Sequence, residues 1–122
     1  MAMLRELLLV AMGGALGSMS RYALSLAASW LSLSTLWSTL AANSLGSFLI
    51  GIAFALLKGD GYLLVAVGFC GGFTTFSTFS LQSLELFERG QRGLALLYIV
   101  ASVLLAVGCV VAGIYCANRY TK

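Results

Sequence analysis

The chain contains no proline and no histidine, and only 9% of its 122 residues are charged. Without histidine it lacks the commonest metal ligand and the usual carrier of protons near neutral pH. A soluble domain has roughly 25% charged residues. A chain with so little charge, and with 61% hydrophobic residues, cannot cover its surface in water. The composition specifies an integral membrane protein. Cysteine is also scarce. Cys70, Cys109 and Cys116 lie in apolar runs and show no C-x-x-C spacing, so they read as small buried hydrophobes. Nucleophile–base pairs, phosphate loops and metal-ligand clusters are missing as well. An enzyme is therefore not expected.

What is present is apolar length. A spanning helix needs about 20 mostly apolar residues. Four stretches qualify, at roughly 4–30, 36–57, 62–87 and 94–117, joined by short polar connections. The first begins like a signal peptide, with Arg5 before an apolar run, but its pattern continues through Arg21 to Trp30 with no convincing cleavage site. It reads as a retained helix. Residues 1–122 are expected to form a single all-α, four-helix transmembrane domain.

Four helices with short turns place both termini on one side. That side receives Arg5, Lys58, Arg119 and Lys122, and the other Arg21, Arg89 and Arg92. Orientation normally follows an excess of lysine and arginine on the cytoplasmic side. Four against three is almost no excess. Either the topology signal is weak, or the chain inserts both ways, which would permit an antiparallel two-fold dimer. The net charge of +3 also has two readings, interfacial anchoring or a weak pull on anions. Small residues suggest close helix packing: Gly13, Gly14 and Gly17, then Ala42/Gly46, Ser47/Gly51 and Gly68/Gly72 at four-residue spacing.

Residues 68–83, GFCGGFTTFSTFSLQS, do not suit a lipid-facing helix. Gly71 and Gly72 weaken a helix, by about 1 kcal/mol each relative to alanine. Thr74, Thr75, Ser77 and Thr78 can bond the backbone groups that a break would free. A broken helix offers carbonyls at one end, suited to a cation, and N–H groups at the other, suited to an anion. The third helix is therefore expected to break mid-membrane; a glycine kink with hydroxyls bonded back into the helix is the plainer reading. Phe76 and Phe79 share a helix face. They are either packing or aromatic edges, positive at the rim, that meet an anion without binding it tightly.

Other polar groups recur at helical spacing. Thr39, Asn43 and Ser47 form a stripe on the second helix, and Tyr98 and Ser102 are four apart on the fourth. These are either interhelical glue or the lining of a path. Arg21, beside Tyr22, reads as an interfacial anchor or as a positive vestibule. No carboxylate falls mid-span, which counts against a proton-coupled or cation-exporting transporter.

Three runs, GGALGSMSRY at 13–22, NSLGSFLIG at 43–51 and GFCGGFTTFSTF at 68–79, closely resemble the Fluc family of fluoride channels, also called CrcB proteins. The likeness covers essentially the whole chain, and the GGxTTFSTF stretch is its most specific part. It implies a passive, highly selective channel that exports fluoride from a bacterial cytoplasm across the inner (plasma) membrane. It implies an antiparallel dual-topology homodimer with two pores. It implies a structural sodium at the dimer interface, on the backbone carbonyls of Gly71 and Thr74 from both subunits. The pore phenylalanines would be Phe76 and Phe79, and the pore asparagine Asn43. The polar track would include Thr39, Ser77, Thr78, Tyr98 and Ser102, with Arg21 in the vestibule. Fluoride, a second copy and the lipid bilayer are the implied partners; a nucleic acid is not expected. Two competitors have a different chemistry. A small dual-topology multidrug exporter should carry a carboxylate midway along its first helix, where this chain has none, Glu6 being terminal. A structural subunit of a membrane complex would not need polar stripes on three helices.

Overall fold

In lipid every backbone N–H and C=O must be satisfied within the protein, so long apolar runs become helices. The computed structural model, which describes residues 1–122, has helices α1 (Ala2–Trp30), α2 (Thr35–Leu56), α3 (Gly59–Tyr62), α4 (Gly71–Phe73), α5 (Phe76–Glu88) and α6 (Arg92–Tyr120). A π-helical stretch, Leu63–Cys70, links α3 to α4. Four spans are long and apolar enough to cross a membrane: α1, α2, the composite third span Gly59–Glu88, and α6. Each begins or ends within a few residues of the expected limits. The connections are tight. Ser34 caps α2 by accepting the Leu36 N–H at 3.3 Å. Gly90, at φ 78°, turns the chain from α5 into α6.

Packing follows the small residues. α1 lies against the first half of the third span so closely that a Cβ at Gly13 or Gly17 would collide with the carbonyl of Leu64 or Phe69. α2 and α6 meet in the same way, Gly51 against the Val110 carbonyl and Gly113 against that of Phe48. The interior is accordingly rich in alanine (Ala28, Ala42, Ala53, Ala66, Ala95 and Ala117) beside Cys70, Leu86 and Tyr98, while many leucines and valines face outward. Lipid is as apolar as leucine, so contact between helices rests on close fit rather than on hiding side chains from water. At the end holding both termini, Arg5 pairs with Asp60 of α3 at 3.2 Å.

The third span is interrupted, but not at its glycine pair. Gly71 is helical, at φ −61° and ψ −39°, whereas Thr74 (φ −85°, ψ 158°) and Thr75 (φ −146°, ψ 113°) are extended. Gly72 serves a different purpose: a Cβ there would meet the backbone of Gly14 on α1. The extended residues sit over Gly46 of α2, where a Cβ would strike the Thr74 methyl group.

Candidate functional site

The interruption is held across helices by Asn43 and locally by the hydroxyls of Thr74 and Thr75. Asn43 of α2 donates its amide N–H to the Thr75 carbonyl at 3.1 Å and accepts the Thr75 N–H on Oδ1 at 2.7 Å. A side-chain amide thus stands in for a peptide and pairs with both polar groups of one residue. Thr75 is also the N-cap of α5. Its hydroxyl oxygen accepts the Thr78 N–H at 3.2 Å, and the hydroxyl donates to Thr78 Oγ1 at 3.0 Å. Thr74 closes the other side, its N–H and its hydroxyl both donating to the Cys70 carbonyl, at 3.0 and 2.9 Å.

These bonds release two carbonyls. In a continuous α-helix the Thr75 N–H would bond the Gly71 carbonyl, and the Thr78 N–H that of Thr74. Here the first goes to Asn43 and the second to the Thr75 hydroxyl. Gly71 and Thr74 therefore keep carbonyls without their helical donors.

Both residues line an open cleft of about 330 Å³ together with Asn43, Phe76, Phe79 and Ser102. Ser102 is buried, and its Oγ has no hydrogen-bond partner. Phe76 and Phe79 stand at the cleft with ring centroids 5.8 Å apart and planes tilted by 48°. Phe79 is half-buried and leans on Tyr98 at 5.4 Å, whereas Phe76 is 79% exposed. The cleft contains no charged side chain.

The remaining candidates lie around it. Tyr98 is buried, with its hydroxyl donating to Gln82 Oε1 at 2.7 Å, and Thr39 adjoins that hydroxyl. Thr78 is committed to Thr75, and Ser77 is exposed with its hydroxyl 3.4 Å from Thr75 Oγ1. Arg21 is half-buried, and its Nε donates to the Gly72 carbonyl at 3.2 Å, just before the interruption. Sequence reasoning named Thr75 only as one of four hydroxyls able to bond freed backbone, and passed over Gln82, the partner of Tyr98 beside the site. Thr75 is its hub. Gln82 is an amide inside an apolar span, where such a group needs a partner, and that alone could have flagged it.

Comparison with known proteins gives a consistent result. A family model described as "CrcB-like protein, Camphor Resistance (CrcB)" matches residues 8–114. A fluoride-specific ion channel FluC from Thermus thermophilus is 47% identical over 104 residues, covering 80% of this chain and 83% of the relative. FluC of Leptospira interrogans serovar copenhageni is 42% identical over 126 aligned residues, covering 95% and 97%. FluC of Chlorobaculum tepidum is 37% identical over 123, covering 96% and 98%.

Proposed function

The chain belongs to the CrcB-like family, whose named relatives are ion channels and not enzymes, and from that premise we propose that it is a passive, selective fluoride channel of a bacterial inner membrane. The observation that carries the reading is the cleft, where two aromatic rims and an unpartnered serine hydroxyl lie against an interrupted helix without any fixed charge.

Fluoride is small, strongly hydrated and a strong hydrogen-bond acceptor. The Ser102 hydroxyl and the amide hydrogen of Asn43 not given to Thr75 replace part of its water. The positive edges of Phe76 and Phe79 support the ion where donors are sparse. A lysine in the cleft would hold the anion and slow its exit; conduction needs binding that is favourable but weak. Thr39, Ser77, Thr78 and Tyr98 continue the polar track along α2, α5 and α6. Arg21 commits Nε to Gly72 and keeps the rest of its guanidinium to attract anions into a vestibule.

A single copy leaves the path open on one side, with Phe76 uncovered. A second, antiparallel copy supplies the missing wall, and two pores result. The Gly71 and Thr74 carbonyls fit an alkali cation, which takes hard oxygen donors, and two from each copy would hold a sodium ion between the subunits. When bound, that ion supplies a fixed positive charge in low dielectric, which favours an anion nearby. Efflux needs no coupling. A membrane potential, negative inside, favours anion exit by about 2.3 kcal/mol per 100 mV.

Expression in a bacterium deprived of its own fluoride export tests the physiological role. Growth in fluoride medium is the expected result. Full-level expression in the membrane without any gain in fluoride tolerance would overturn it.

A further inference from the structure

Thr75 lines the cleft, but its hydroxyl hydrogen goes to Thr78 Oγ1 at 3.0 Å, and it takes part in more side-chain bonds than any other residue at the site. Its N–H and carbonyl are paired with Asn43 at 2.7 and 3.1 Å, and its hydroxyl takes the Thr78 N–H at 3.2 Å. Thr75 is buried. Two of these bonds each remove a donor from a carbonyl of the interrupted helix. Asn43 Oδ1 takes the N–H that would return to Gly71, and the Thr75 hydroxyl takes the N–H that would return to Thr74.

From this geometry we infer that Thr75 is a positioning residue: with Asn43 it keeps the Gly71 and Thr74 carbonyls free for a cation, and so couples the anion path to the cation site. The inference rests on the sodium site proposed above. The physical reason is competition for oxygen lone pairs. Without the Thr75 hydroxyl, the Thr78 N–H in this low-dielectric setting must find another acceptor. The nearest one in helical register is the Thr74 carbonyl. That carbonyl then shares its electron density with an N–H and turns from its ligand direction. Losing the Asn43 acceptor does the same at Gly71, through the Thr75 N–H. Asn43 thus carries two duties. One amide hydrogen and Oδ1 fix the backbone, and the second amide hydrogen serves the path.

The test uses the full-length chain purified in detergent. Thermal unfolding is followed against sodium concentration, with N-methylglucamine keeping ionic strength constant. The unmodified chain is expected to show a saturable, sodium-specific rise in melting temperature. In Thr75→Val the sodium midpoint should rise roughly tenfold, the scale of one exchanged hydrogen bond. Thr75→Ser keeps the hydroxyl and should restore the midpoint to within about twofold. If Thr75→Val does not fold, Asn43→Ala reads the same quantity through Gly71 and should also raise the midpoint. A sodium midpoint unchanged in Thr75→Val, or in Asn43→Ala where the valine variant is lost, would overturn the inference while leaving the sodium site intact. Unmodified protein indifferent to sodium would instead remove the site itself, and the inference with it.

Discussion

In the proposed channel, Phe76 and Phe79 would meet the anion more weakly than a charged residue, and so let it leave. Their rings are tilted against one another, and Phe79 is braced by Tyr98. Replacing either with isoleucine keeps bulk and removes the ring quadrupole. Fluoride flux in liposomes should fall about tenfold or more in each variant, the upper range of an aromatic electrostatic contact. Elution on a sizing column should stay unchanged. Unaltered flux in both variants would remove the aromatic-edge mechanism.

The Tyr98–Gln82 bond makes a second demand at this scale. It joins two buried groups at 2.7 Å. Tyr98→Phe leaves the Gln82 amide unsatisfied and should cost about 1–3 kcal/mol. Adding Gln82→Leu should recover much of that loss, since apolar replacement of both partners is far cheaper than removal of one. Chemical unfolding of the two single variants and the double variant measures the coupling; strict additivity would show that the bond carries nothing.

Among the elements, the two glycine-lined seams set how near the helices come. Gly113 is pressed against the Phe48 carbonyl, while Gly108, on the same helix, has open space where a Cβ would stand. Gly113→Ala should therefore destabilise by about 1–3 kcal/mol through overpacking. Gly108→Ala should be neutral or should gain up to about 1 kcal/mol from helix propensity. Equal melting temperatures for the two variants would contradict the close seam between α2 and α6.

The elements also show what a sequence can and cannot disclose. The four spans were legible because apolar length is a local property, and their ends because polar residues and glycine sit at the turns. The need for an interruption near residues 68–83 was legible from its mixture of glycine and hydroxyl groups. Its place was not. The glycine pair has the weaker helix propensity, but contact with α1 recruits Gly72 to packing, and the ladder yields instead at Thr74 and Thr75. That choice depends on Asn43, whose partner is 32 residues away, and spacing along α2 cannot reveal such a partner. The π-helical stretch LLVAVGFC carries no compositional mark that separates it from an ordinary helix.

On the scale of the whole molecule, the distribution of charge governs orientation. Arg5, Lys58, Arg119 and Lys122 lie toward the end with the termini, and Arg89 and Arg92 toward the other. Arg21 bonds the Gly72 carbonyl but keeps its charge, and it counts with Arg89 and Arg92. The excess, four basic residues against three, is a weak orienting signal. Dual insertion predicts that a cysteine placed after Lys122, in a chain otherwise free of cysteine, is labelled from both faces of sealed cells and inverted vesicles. Labelling from one face only would remove the antiparallel dimer.

Anion efflux from liposomes holding the purified protein alone, read by fluoride and chloride electrodes in parallel, reaches the central claim most directly. Fast fluoride release upon addition of a potassium ionophore, with chloride retained, is the predicted result. Equal release of both ions would contradict selectivity by the cleft, and no release of either from folded protein would contradict the channel itself.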